Sequence, residues 1–118
     1  MKTISIICQK GGVAKTTTVV NLSSIFSKNG YKTLIIDLDP QGNVSTYLNF
    51  DKNTNEVTNS IQLLEGTTEV YPGELRENLS IIPSNKEIVR YNEEKIVGGS
   101  RIKKLKQAGI FNNFEQKL

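Results

Sequence analysis

Residues 9–17 read Gln9-Lys10-Gly11-Gly12-Val13-Ala14-Lys15-Thr16-Thr17, and their flanks set the fold. Upstream, residues 3–9 (Thr-Ile-Ser-Ile-Ile-Cys-Gln) are rich in β-branched side chains and read as a strand. Downstream, the spacing predicts a helix over 15–29, with Val19, Leu22 and Phe26 forming one apolar stripe. Gly30 is placed to stop it, because glycine takes left-handed backbone freely. Residues 32–38 read as a second strand with a continuously apolar centre, as expected of a strand covered on both faces. Strand, helix and strand in this order predict a βαβ unit with a parallel pair. The fold class expected is α/β, a parallel sheet flanked by helices.

The glycine-containing loop between strand and helix has a chemical use. Small residues let backbone N–H groups surround phosphate oxygens, and the helix N-terminus adds free donors and partial positive charge. The generic phosphate-binding loop is G-x-x-x-x-G-K-[ST]. Lys15-Thr16 supplies its last step, but Gln9 and Ala14 stand where its two glycines belong. In such a loop Lys15 reaches the β and γ phosphates, the Thr16 hydroxyl ligates Mg²⁺, and Thr17 bonds the α-phosphate. Ala14 would cost about 1 kcal/mol or more if the backbone there needed a positive φ.

A second cluster follows the second strand: Asp37-Leu38-Asp39-Pro40-Gln41-Gly42-Asn43. Ligands of open α/β sheets sit at the carboxyl ends of parallel strands. Asp37 and Asp39 point the same way if the strand continues to Asp39. Two carboxylates aimed at one place call for a cation, which Mg²⁺ and Lys15 supply.

Lys10-Gly11-Gly12-Val13-Ala14-Lys15-Thr16-Thr17 closely resembles the deviant Walker A sequence of the ParA/MinD group of P-loop ATPases. That resemblance implies ATP and Mg²⁺ as ligands. It also implies that Lys10 is the signature lysine that crosses a dimer interface to the partner subunit's nucleotide, making an ATP-dependent homodimer. The Asp37–Asn43 stretch resembles the D-x-D-P-Q-G-N motif of partition ATPases. By it, Asp39 belongs to switch I and positions the water or the Mg²⁺ shell, and Asp37 supports the magnesium side. The phosphate-binding set implied is Lys10, Gly11, Gly12, Val13, Ala14, Lys15, Thr16 and Thr17. The metal set is Thr16, Asp37 and Asp39, and the catalytic set Lys10, Lys15 and Asp39. The activity implied is Mg²⁺-dependent ATP hydrolysis serving plasmid or chromosome partition. A centromere-binding partner protein and non-specific DNA binding by the parent protein come with it. MinD-like proteins usually differ in the second motif and carry a C-terminal amphipathic membrane helix, which is not found here. A MinD-like regulator and a non-catalytic nucleotide- or DNA-binding fragment are the alternatives.

The remaining chain bounds these readings. Its 118 residues, 36% hydrophobic, fit one small domain with a modest core. The absence of histidine excludes His-based catalysis and His-ligated metal, and a lone Cys8 excludes an internal disulfide. No apolar run approaches the roughly 18 residues of a membrane span, and no cleavable signal is seen, so a cytoplasmic protein is expected; the resemblance implies nucleoid association of the parent protein. Residues 1–75 hold 6 Lys/Arg against 7 Asp/Glu, and residues 76–118 hold 9 against 5. Arg101, Lys103, Lys104 and Lys106 cluster, either as a phosphate-contacting patch or as the solvated face of a helix. A short helix is expected over 44–50, loop over 51–60, and a short helix around Ile61, Leu63 and Leu64 ending near Gly66. Residues 67–78 read as irregular with a turn at Pro72-Gly73, then a third strand from Leu79 to Pro83. Residues 85–118 read as mainly helical, interrupted at Gly98-Gly99. The resemblance is dense over 2–49 and stops short of the Walker B strand. The domain expected is therefore 1–118, the N-terminal portion of a doubly wound fold.

Overall fold

The computed structural model describes residues 1–6 and 13–88. The element order is α1 (Val13–Lys28), β1 (Thr33–Ile36), α2 (Asn43–Tyr47), α3 (Ser60–Leu64), β2 (Gly73–Arg76) and β3 (Leu79–Ile82). The three strands form one sheet in the order β1-β3-β2. β1 and β3 run parallel, with Thr33 opposite Leu79 and Ile36 opposite Ile82. β2 lies antiparallel on the other side of β3, with a register shift between Glu74 and Arg76.

Three sequence expectations change. Residues 3–6 lie outside any strand, residues 7–9 of the expected strand lie outside the described residues, and the described parallel partner of β1 is β3. A strand exists by its ladder, and β-branched composition alone does not create a neighbour. Residues 73–76, read as a turn and irregular chain, form β2 and make the sheet mixed. Glu77 and Asn78 close the hairpin to β3, with Asn78 at φ 63, a left-handed conformation that asparagine tolerates. The buried face of α1 is Thr16, Val20, Ser23 and Ser27, offset from the expected Val19-Leu22-Phe26 stripe, whose members are half-buried. Short side chains on that face let the helix approach the sheet closely. The Ser23 and Ser27 hydroxyls are satisfied within the helix, by the Val20 and Ser24 carbonyls.

Both ends of the described helices follow from local chemistry. α1 ends where Gly30, at φ 86, donates to the Ser27 carbonyl and Tyr31 to that of Phe26. This is the paired bonding of a Schellman stop. α3 begins with a capping box: Asn59 Oδ1 accepts from the Gln62 N–H, and Gln62 Oε1 from the Asn59 N–H. It ends at Gly66, φ 87, as expected.

The core divides across the sheet. Val20, Ile35, Val44, Leu79 and Ile81 form one buried cluster, joining α1 and α2 to the sheet. Leu63, Leu64, Val70, Ile82 and Ile88 form the other, under α3. Leu34 and Ile36 border the second cluster while Ile35 is in the first, which is why the apolar run is continuous. Behind α2, the Phe50 ring lies so close over Gly73 that a Cβ on that residue would collide with it. The helical expectation for 85–118, the basic cluster included, falls outside the described residues from 89 onward. Within 85–88, the Asn85 side chain accepts from the Glu87 N–H and its carbonyl from Ile88, the bonding of a first turn.

Candidate functional site

The carboxyl end of β1 becomes a site because the strand stops at Ile36 and the chain folds back on its own carboxylates. The Asp37 N–H still donates to the Ile82 carbonyl at 3.0 Å, the last backbone bond continuing the β1–β3 register. The Asp39 N–H then donates to Asp37 Oδ1 at 3.0 Å, and the Gln41 N–H to Asp39 Oδ1 at 3.0 Å. These are two successive Asx turns. Gly42 closes the run at φ 62, donates to the Asp39 carbonyl at 2.9 Å, and stands at the N-cap of α2. The expectation that Asp37 and Asp39 align along a continuing strand is thus replaced. The turns bring the two carboxylates together.

The start of α1 meets this turn. Lys15 Nζ lies 2.7 Å from Asp39 Oδ2, and both side chains are less than one-fifth exposed. Their partial burial and short contact make this a charge-assisted bond rather than a loose surface pair. Thr16, one residue on, is buried. The two sequence motifs, 24 residues apart at Lys15 and Asp39, therefore converge in space.

Asp37 carries the least ordinary electrostatics. It is 5% exposed, and its Oδ2 has no hydrogen-bond partner among the described residues. Burial pushes its carboxyl up to about 6, with the negative charge of Asp39 adding to the rise. The backbone N–H of Asp39 and the charges of Lys15 and Lys52 act the other way. A buried oxygen without a donor, in a carboxylate that burial disfavours, suits a hard cation. Among the described residues no three side chains of Asp, Glu, His or Cys gather as a metal cluster. Asp37 and Asp39 offer carboxylate oxygens, the ligand type magnesium takes with water completing its shell.

Other expected residues divide as follows. Lys10, Gly11 and Gly12 lie outside the described residues, and Val13 is described only as the first backbone residue of α1. Ala14 is helical and outside the positive-φ set, so the strain foreseen for alanine there does not arise. Its carbonyl accepts from the Thr18 hydroxyl at 2.6 Å. Thr17 is half-buried in the first turns of α1. Sequence reasoning missed Lys52, whose Nζ donates to the Gln41 carbonyl at 3.1 Å and whose stem covers Gly42. Nothing in the order of residues signals it, because a loop lysine after a short helix is ordinary. No described helix is long and apolar enough to cross a membrane.

The chain is similar to known proteins. Residues 1–113 match a family described as AAA domain. Sporulation initiation inhibitor protein Soj of Bacillus subtilis is 34% identical over 116 residues, covering 91% of this chain and 43% of Soj. A cobyrinic acid a,c-diamide synthase from Mycobacterium smegmatis, solved with a bound ATP analog and magnesium, superposes with a TM-score of 0.71 at 30% identity. That match covers 86% of this chain and 42% of the synthase. A plasmid partition protein from Borrelia burgdorferi superposes with a TM-score of 0.65 at 25% identity, over 87% of this chain and 46% of that one. The chain spans less than half the length of the first curated relatives it matches.

Proposed function

This chain belongs to the AAA domain family, with ParA- and Soj-like P-loop ATPases as its relatives, and from that premise we propose that it binds ATP with Mg²⁺ and takes part in its hydrolysis for plasmid or chromosome partition. The observation that carries the reading is the 2.7 Å contact of Lys15 with Asp39, which joins the start of α1 to the turn after β1. Residues 10–17 hold the phosphates through backbone N–H groups and the Lys15 ammonium. Thr16, Asp37 and Asp39 hold the metal side. Magnesium, when bound, neutralises charge on the β- and γ-phosphate oxygens.

The chain's own residues do the positioning. Lys15 moves its charge from Asp39 to the phosphate tail, which frees the Asp39 carboxylate to orient a water. That water attacks the γ-phosphorus in line; a P–O bond forms, the bond to the β-phosphate oxygen breaks, ADP leaves with that electron pair, and the water's proton passes to an oxygen of the released phosphate. Lys10 serves the partner subunit's nucleotide in an ATP-dependent homodimer. Catalysis is mainly placement and charge stabilisation. Centromere-bound protein and non-specific DNA are the partners of the parent protein.

Labelled-ATP retention and phosphate release, with Lys15→Ala beside the unaltered chain, test this. Losing that one cation is expected to lower binding or turnover by about 100-fold. Turnover undiminished in Lys15→Ala overturns the assignment. The likeness to the cobyrinic acid synthase favours a second reading, a P-loop nucleotide enzyme outside partition. DNA retention that requires ATP separates the two in favour of partition.

A further inference from the structure

Among the described residues, two lysines touch the turn from Asp37 to Gly42, and of these only Lys15 belongs to either sequence motif. Lys52 arrives from the chain beyond α2. The Asp51 side chain accepts from the Asn53 N–H at 3.0 Å, an Asx turn that presents the residue between them. From there Lys52 Nζ donates to the Gln41 carbonyl at 3.1 Å. Its stem lies over Gly42, where an added Cβ would meet Lys52 Cδ and Nζ at 3.0 Å. Its charge is near enough to favour the ionised form of Asp37. A free lysine side chain loses up to about 2 kcal/mol of rotamer entropy when ordered, so its fixed place needs several contacts acting together.

We propose that Lys52 is a positioning residue, clamping the Asp37–Gly42 turn through the Gln41 carbonyl so that Asp39 keeps its place when Lys15 turns to a phosphate. The inference rests on the nucleotide reading above for its role in turnover, whereas the clamp itself belongs to the nucleotide-free chain. Lys15 holds the turn by the Asp39 side chain, and phosphate competes for that ammonium. Lys52 holds the turn by a backbone carbonyl and lies outside the 10–17 segment assigned to the phosphates. The second tether is therefore separate from the one that Lys15 gives up. Gly42 is the residue that admits it, since its left-handed backbone and missing side chain leave room for the lysine stem.

The test compares Lys52→Met and Lys52→Arg in the full chain. The first readout is amide hydrogen exchange in nucleotide-free protein. The Gly42 and Gln41 N–H groups, which bond to Asp39, are expected to exchange about tenfold faster in Lys52→Met. Lys52→Arg restores their protection, and Ile81 in the core stays unchanged in both, which establishes that the fold is intact. The second readout is the split between ATP affinity and turnover. Lys52→Met is expected to keep ATP affinity within about twofold and to lose about tenfold in phosphate release, with Lys52→Arg recovering most of it. Unchanged exchange at Gly42 in Lys52→Met overturns the clamp. Equal turnover in Lys52→Met and the unaltered chain overturns its part in the reaction. An unaltered chain that retains no ATP refutes the proposed function, and the exchange arm still decides the clamp.

Discussion

Ile35 and Asp37 stand two residues apart and are equally buried, each 5% exposed, yet burial does opposite things to them. Ile35 sits among Val20, Val44, Leu79 and Ile81, and removing such a side chain from water stabilises the fold by about 1.5–3 kcal/mol. Asp37 receives one backbone N–H on Oδ1 and nothing described on Oδ2, and burial pushes its carboxyl up to about 6. Position 35 is explained by folding. Position 37 costs stability when its carboxyl is ionised, and packing does not explain it. A few ångströms of chain separate a side chain that burial favours from one that burial penalises.

The largest test of that contrast is Ile35→Ala. It leaves a cavity between α1 and the sheet and should lower unfolding free energy by about 3 kcal/mol in urea titration. A loss under about 1 kcal/mol would mean that the site can collapse and the contrast is weaker than the burial suggests. Next is Asp37→Asn in metal-free buffer. The folded carboxyl is raised from 3.8 to about 6, so its stabilising contribution is complete below pH 3.8 and is lost as pH rises through 6. The unaltered chain should therefore lose stability relative to Asp37→Asn as pH rises across that window, by on the order of 2 kcal/mol. Parallel pH profiles for the two chains would contradict it.

Gly42→Ala comes third. It forces left-handed backbone on alanine and drives a methyl against Lys52, at an expected cost of about 1–2 kcal/mol in the same titration. Asn59→Ala is the smallest, about 1 kcal/mol, because it removes an ordinary cap from α3 far along the chain from Asp37. If Gly42→Ala cost less than Asn59→Ala, the turn would be no more constrained than a helix end.

Much of this was readable in advance where one local rule acts alone. Gly30 and Gly66 end helices because their positions demand positive φ. The Leu34-Ile35-Ile36 run is apolar on both sides because both sides are covered. The meeting of Lys15 with Asp39 was legible because a cation at a helix start and a carboxylate after a parallel strand are expected at the same end of the sheet. What was not legible depends on tertiary partners. β2 hides in Gly73-Glu74-Leu75-Arg76, since Pro72-Gly73 reads as a turn and only pairing with β3 makes a strand of it. Thr16, Ser23 and Ser27 are on the buried face of α1, which hydrophobic periodicity does not register because their side chains are polar. Lys52 depends on where a loop returns, and the Asx turns at Asp37 and Asp39 on a strand that stops two residues earlier than its composition suggests.

The Phe50 ring seated on Gly73 has a mechanical meaning. Gly42 opens α2, and Phe50 follows its far end, with its N–H bonded to the Ser45 carbonyl at 2.9 Å. The segment from 42 to 50 thus spans from the carboxylate turn to β2, where the Phe50 ring meets Gly73. A turn that tilted as one piece with this segment would have to lift the ring from its glycine seat or carry β2 with it.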